Sequence, residues 1–147
     1  MRIFTIGFTK KTAEEFFTRL SSAGVTRLID VRLNNVSQLA GFSKRDDLRY
    51  FLKAICNIDY VHLPGLAPTQ EMLDEYRKYR KASHDWEAYA VRFVALIAER
   101  NVESTVDREM FRDSCLLCSE AEADHCHRRL AAEYLRDRWG DVEIVHL

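Results

Sequence analysis

Three of the four cysteines, two of the five histidines and the Arg128-Arg129 pair fall between residues 114 and 135, so the reactive side chains are concentrated in one segment. Cys118 ends a short apolar run and is followed by Glu120 and then by Cys126-His127-Arg128. A thiol becomes a nucleophile when a base or a cation beside it lowers its pKa. A helix opening near Cys126 offers such a field through its free N–H groups and the positive end of its dipole. Cys118 is therefore the candidate thiol. Glu120 and His127 are the candidate proton carriers, His127 because imidazole titrates near neutrality. The competing assignment for Cys118 is core packing, since free cysteine is often buried.

Cys126 admits two roles: disulfide partner of Cys118, or metal ligand together with Cys118, His127 and either Glu120 or His62. Cys115 and Cys118 have the spacing of a zinc knuckle, but residues three apart on a strand face opposite sides, which sends Cys115 to the core. The ligand set left over is irregular, so no metal ligand is assigned. Asp30 and Arg32 are two apart at a strand end and project to the same face. Asp30 then pairs with Arg32 or binds the N–H groups of the next turn. Arg32 is the better anion contact, with Arg128 as a second clamp and Thr9 as a hydroxyl at the same edge. His62 reads as a satisfied strand residue, Cys56 as structural, and Tyr76, Tyr79, Tyr89 and Phe93 as helix packing. His84, His125 and His146 receive no role.

These residues need a scaffold, and 147 residues suffice for one domain with one core. A composition of 47% hydrophobic and 31% charged residues fits a folded soluble protein. The net charge of −1 provides no global field for nucleic acid, so such a contact would need a local patch. No apolar run approaches the ~20 residues of a membrane span, and residues 2–6 read as a strand rather than a signal peptide. The expected setting is the cytoplasm, with cysteines as thiols, ligands or transient redox partners.

Short β-rich runs at residues 2–6, 25–31, 58–63, 115–118 and 142–145 alternate with helical patterns. Thr12 and Glu15 form a capping box and Gly24 a helix stop. Ser43 reads as the cap of a helix burying Leu48, Phe51, Leu52 and Ile55. Pro68-Thr69 opens a further helix, Ser83-His84-Asp85 interrupts the chain, and a long helix runs over residues 86–100. Residues 101–113 read as a loop with a helical turn near Glu109. The order β-α-β-α-β-α-α-β-α-β predicts an α/β three-layer fold, a mostly parallel sheet of about five strands with helices on both faces. Sites in such sheets form beyond the carboxyl ends of the strands, and Thr9, Asp30, Arg32, His62, Cys118 and Glu120 all fall there.

Thr5-Ile6-Gly7, Leu28-Ile29-Asp30-Val31-Arg32, Phe42-Ser43-Lys44, Tyr60-Val61-His62-Leu63-Pro64, Leu117-Cys118-Ser119-Glu120 and Cys126-His127-Arg128 together resemble the domain-of-unknown-function 488 family. The resemblance spans nearly the whole chain and implies a small α/β domain without a settled reaction. Where that family often has Pro and a Ser-Arg pair after Asp-Val-Arg, this chain has Asn35 and Ser37-Gln38. The order Asp30-Val31-Arg32, Cys118, loop, helix, Gly140 is also similar to rhodanese-type domains, although the acidic loop after Cys118 is unlike an anion-cradling one. The first expectation is an enzyme: a Cys118–Glu120–His127 site, with Arg32, Arg128, Thr9, Asp30 and Cys126 around an anionic phosphate- or sulfur-bearing ligand. The alternative is a non-catalytic module binding a nucleotide, nucleic acid or a metal. No motif names a cofactor or an oligomeric state.

Overall fold

A computed structural model describes residues 1–36, 41–79 and 85–147; Ser37-Gln38 and Ser83-His84 lie outside the described residues. Five strands, β1 (Arg2–Gly7), β2 (Arg27–Asp30), β3 (Asp59–His62), β4 (Ser114–Cys118) and β5 (Glu143–His146), form one sheet in the order β3-β2-β4-β1-β5. Every pairing is parallel. The expected three-layer α/β architecture is therefore the observed one. β4 is central and buried throughout, as its continuous apolar run requires.

The alternation of strand side chains divides the core in two. Ile3, Ile29, Leu116 and Cys118 face one layer, and Phe4, Ile6, Leu28, Cys115 and Leu117 face the other. Helices α1 (Ala13–Ala23) and α2 (Arg45–Phe51) cover the second face through Phe16, Phe17, Leu20 and Leu48. Helices α3 (Gln70–Tyr79), α4 (Asp85–Glu99), the short α5 (Val102–Thr105) and α6 (His127–Trp139) cover the first through Met72, Phe93, Ile97, Val102 and Leu135. The helix after β2 and the helix after β4 thus lie on opposite faces. Adjacent parallel strands with that property leave a crevice between their carboxyl ends.

Helix α1 starts on the Thr12 hydroxyl, which accepts from the Glu15 N–H at 3.1 Å, and ends at Gly24 in the left-handed region. Thr69 caps α3 by accepting from the Met72 N–H at 3.2 Å. Two local expectations are corrected. Ser43 does not cap α2; it sits in a 3-10 turn (Gly41–Ser43), and the N-cap is Lys44. Ile55 is 60% exposed rather than buried. α2 continues into a π-helical turn, Leu52–Cys56, whose wider winding shifts the phase of the residues after Leu52. Residues 101–113 hold a 3-10 turn at Arg108–Phe111, near the expected place, and also α5, which the charged sequence did not signal.

Candidate active site at the carboxyl edge of the sheet

Cys118 is the last residue of β4, and His127 is the first of α6. The Cys118 Sγ lies 3.4 Å from His127 Nδ1 and 3.6 Å from Nε2. His127 Nε2 is 2.8 Å from the carbonyl of Val31, just past β2. A carbonyl only accepts, so Nε2 carries a proton, and the sulfur, nearly equidistant from the two ring nitrogens, lies over the imidazole within reach of Nδ1. The ring also packs on Phe93, with centroids 5.4 Å apart. The ring is thus held in place from two sides, by the Val31 carbonyl and by Phe93.

Cys126 caps α6 from an extended conformation, and its sulfur joins Cys118 Sγ and His127 in a buried cluster whose ligand atoms all lie within 4.8 Å of one another. All four cysteines are free thiols. Burial opposes ionisation of Cys118. Hydrogen bonds from the Cys126 thiol and from Ser119, together with the field of Arg128, outweigh it, so the Cys118 pKa falls below the ordinary thiol value of 9.0. Burial and the neighbouring Cys118 charge push Cys126 well above that value. Cys115, on the other face, is raised by burial alone in the main and has no part in the cluster.

The end of β2 is built around Asp30. Its carboxylate accepts from Arg32 Nε and Nη2, each at 2.8 Å, from the Arg32 N–H at 3.1 Å and from the Tyr60 hydroxyl at 2.6 Å. Asn35 Nδ2 bridges Asp30 and Tyr60 at 3.4 and 3.3 Å. Burial and this carboxylate hold the Tyr60 phenol in its protonated form, far above its ordinary pKa. Asp30 and Arg32 are 0% and 2% exposed, which makes them a buried bidentate ion pair. Arg32 Nη1 is also buried, with no hydrogen-bond partner among the described residues. The Arg32 carbonyl accepts from His62 Nε2 at 2.9 Å, so the strand histidine fixes the backbone of the arginine.

A separate set of contacts holds the loop between β4 and α6. Thr9 donates to the Ser119 carbonyl from both its N–H (3.1 Å) and its hydroxyl (2.5 Å). Arg128, 1% exposed, donates to the carbonyls of Glu120 (2.5 Å) and Ala121 (3.4 Å) and to the Thr5 hydroxyl (3.4 Å). Gly7 lies directly beneath: a Cβ there would sit 1.6 Å from the Glu120 carbonyl oxygen, which explains why only glycine fits. The Thr5 hydroxyl also meets His146 Nδ1 at 2.6 Å, and burial, with Arg128 nearby, lowers the His146 pKa.

A cavity of about 630 Å³ opens at this edge, lined by Arg32, Asn34, Cys118, Glu120, Cys126 and His127 on the sheet side. Leu73, Tyr76, Arg77, Trp86, Tyr89 and His125 line it on the helix side. The structure thus brings together five of the eight site residues expected from sequence. Thr9, Asp30 and Arg128 lie behind the wall and hold it. Asn34, Tyr76, Arg77, Trp86 and His125 were not foreseen. Tyr76 and Trp86 are half-buried, and their helical spacing reads equally well as packing. The supporting Asn35 and Tyr60 were not foreseen either, because neither motif nor spacing links them to Asp30.

Together these features define a small α/β domain with a thiol–imidazole pair and an arginine at the crevice between β2 and β4. The family model described as a domain of unknown function, DUF488, matches residues 12–135, and the chain belongs to that family. No curated protein and no solved structure matches the chain significantly. No helix among the described residues is long and apolar enough to cross a membrane.

Proposed function

We propose that the protein is a thiol-dependent hydrolase or group-transfer enzyme acting on a small anionic ester, in the first instance a phosphate monoester. The observation that carries this reading is the Cys118–His127 pair, with Sγ 3.4 Å from Nδ1 and the ring held by the Val31 carbonyl. Arg32 supports it as the anion contact. Its Nε/Nη2 edge is occupied by Asp30, and Nη1, buried and without a hydrogen-bond partner among the described residues, is the donor left over for an anion at the cavity wall that Arg32 lines.

The His127 ring turns its Nδ1 edge to the sulfur, the proton of the Cys118 thiol passes to Nδ1, and the thiolate attacks phosphorus. The S–P bond forms as the P–O ester bond breaks, and the leaving oxygen takes the proton from Nδ1 and departs as an alcohol. Water then attacks phosphorus and gives a proton to Glu120, at the exposed rim of the cavity. The S–P bond breaks, orthophosphate leaves, and the proton returns through solvent to the thiol. Ester and water become alcohol and orthophosphate, with no change of oxidation state. In the full chain, iodoacetamide is expected to label Cys118 rapidly at neutral pH, more slowly with orthophosphate present, and not at all in Cys118→Ser. Orthophosphate release from a panel of phosphate monoesters should fall by about 100-fold or more in His127→Gln. A slow thiol and no release from any ester would remove the enzyme reading.

The cluster of Cys118, Cys126 and His127 favours one second reading, a metal-binding module. Two thiolates and an imidazole are the donors of three-ligand zinc sites. In that case, protein purified without chelator carries stoichiometric zinc, Cys126→Ser loses it, and Cys118 becomes alkylatable only after chelation.

A further inference from the structure

The cavity is far larger than the proposed chemistry at Cys118 requires. About 630 Å³ lies in the ~300–1,000 Å³ range of sites for small organic ligands, whereas a bare anion needs only the corner beside Arg32. The remaining wall is aromatic. Trp86 stacks on His125 (centroids 5.0 Å apart, planes at 29°) and on Tyr89 (5.5 Å, 28°), and Tyr76 packs on Tyr89 at 4.8 Å. Tyr89, Cys118 and Cys126 line the same cavity, so this wall stands next to the thiols. Tyr89 is buried and accounts for packing, but Trp86 and Tyr76 keep part of their surface open to the cavity. Aromatic side chains lining a cavity beside a cation are a recurrent means of binding flat ligands. Arg77, exposed on the same wall, adds positive charge.

We propose that the ligand of this site carries a planar aromatic or heteroaromatic ring beside its phosphate group, the ring resting on Trp86 and Tyr76 and the phosphate meeting Arg32. This assignment rests on the anion-ester reading above and narrows it to one substrate class. Ring and phosphate enter through different walls, so each can be removed without the other.

The test is equilibrium binding to full-length Cys118→Ser, which keeps the pocket and lacks the nucleophile. The probes are orthophosphate, glycerol 3-phosphate, phenyl phosphate and adenosine 5′-monophosphate. The two ring-bearing probes distinguish a ring bonded directly to phosphate from one set off by a sugar. At least one of them is expected to bind about tenfold more tightly than glycerol 3-phosphate. Adding Trp86→Leu should abolish that preference and leave glycerol 3-phosphate unchanged, and Trp86→Phe should restore most of it. If ring-bearing and ringless esters bind equally, or if Trp86→Leu weakens all of them alike while Trp86→Phe restores none, the ring assignment is overturned and the anion site stands. If none of the four probes binds, both the ring assignment and the anion reading fall.

Discussion

The three cysteines of the carboxyl half show how one residue type takes different chemistry from its surroundings. Cys115 and Cys118 differ by three positions on one strand, and that parity alone puts them on opposite faces of the sheet. Cys115 sits in the apolar second layer and burial keeps it protonated, whereas Cys118 meets Ser119, Cys126 and the field of Arg128, and its pKa falls below 9.0. In a Cys56→Ser background, alkylation should therefore be confined to Cys118. Its rate should rise with pH through an inflection below the ordinary thiol value and level off above it. Cys126→Ala removes the foremost influence lowering that pKa, so the inflection should move up toward 9.0. Quantitative mass spectrometry of the labelled peptide across a pH series checks both.

At the Asp30–Arg32 pair, parity again made the contact legible, since residues two apart on a strand share a face. Asp30→Ala leaves a buried guanidinium facing Tyr60 and Asn35 without its carboxylate. The expected loss is about 3–5 kcal/mol in urea unfolding. What sequence reading did not supply was Tyr60, one strand over, because cross-strand neighbours depend on the β2–β3 register.

At the scale of elements, the loop after β4 is the part whose position decides the chemistry. It is held from below by Gly7 at the end of β1, from the side by Thr9, and from α6 by Arg128. The role assigned to Arg128 from sequence was anion clamp, and the geometry gives it a loop to hold. A buried arginine and a loop carbonyl eight residues apart leave no trace in a motif. Gly7→Ala forces the Glu120 carbonyl to move by more than an ångström, since the new Cβ would lie 1.6 Å from its oxygen. The expected cost is about 3 kcal/mol. Cys118 should also lose hydrogen bonds from the displaced Ser119, shifting its alkylation inflection upward. Urea unfolding and the labelling series on one variant measure both effects. A stability loss with an unchanged inflection would separate the loop from the thiol.

The strands themselves were readable because each is a short β-rich run bounded by turn residues. Ile55 was misplaced because a π-helical turn changes the period mid-helix, and nothing in Leu52–Cys56 announces it. α5 was missed because four residues are too few for a period to show. The sheet order β3-β2-β4-β1-β5 was beyond reach for a different reason: it is set by which faces the helices cover, a property of the assembled chain.

At the scale of the whole molecule, that order brings residues 32, 118 and 127 together, along with walls from α3 and α4. A ligand in the cavity therefore bridges segments that span most of the sequence and stabilises their shared, folded arrangement. Mass action makes this measurable: at 100 times Kd the gain is about 2.7 kcal/mol. The molecule's net charge of −1 provides no general attraction for an anion, so affinity has to come from the site. Arg32 is 2% exposed, and a contact that deep is screened far less than a surface one, although the Debye length is only ~10 Å at 0.1 M salt. Raising sodium chloride from about 0.05 to 0.3 M should thus change phosphate affinity by less than about threefold. Arg32→Gln should abolish the thermal shift caused by orthophosphate, while Arg77→Gln, exposed at the mouth, should reduce it modestly and mainly at low salt. Steep salt dependence together with a neutral Arg32→Gln would relocate anion binding to the surface and leave the buried Asp30–Arg32 pair a purely structural element.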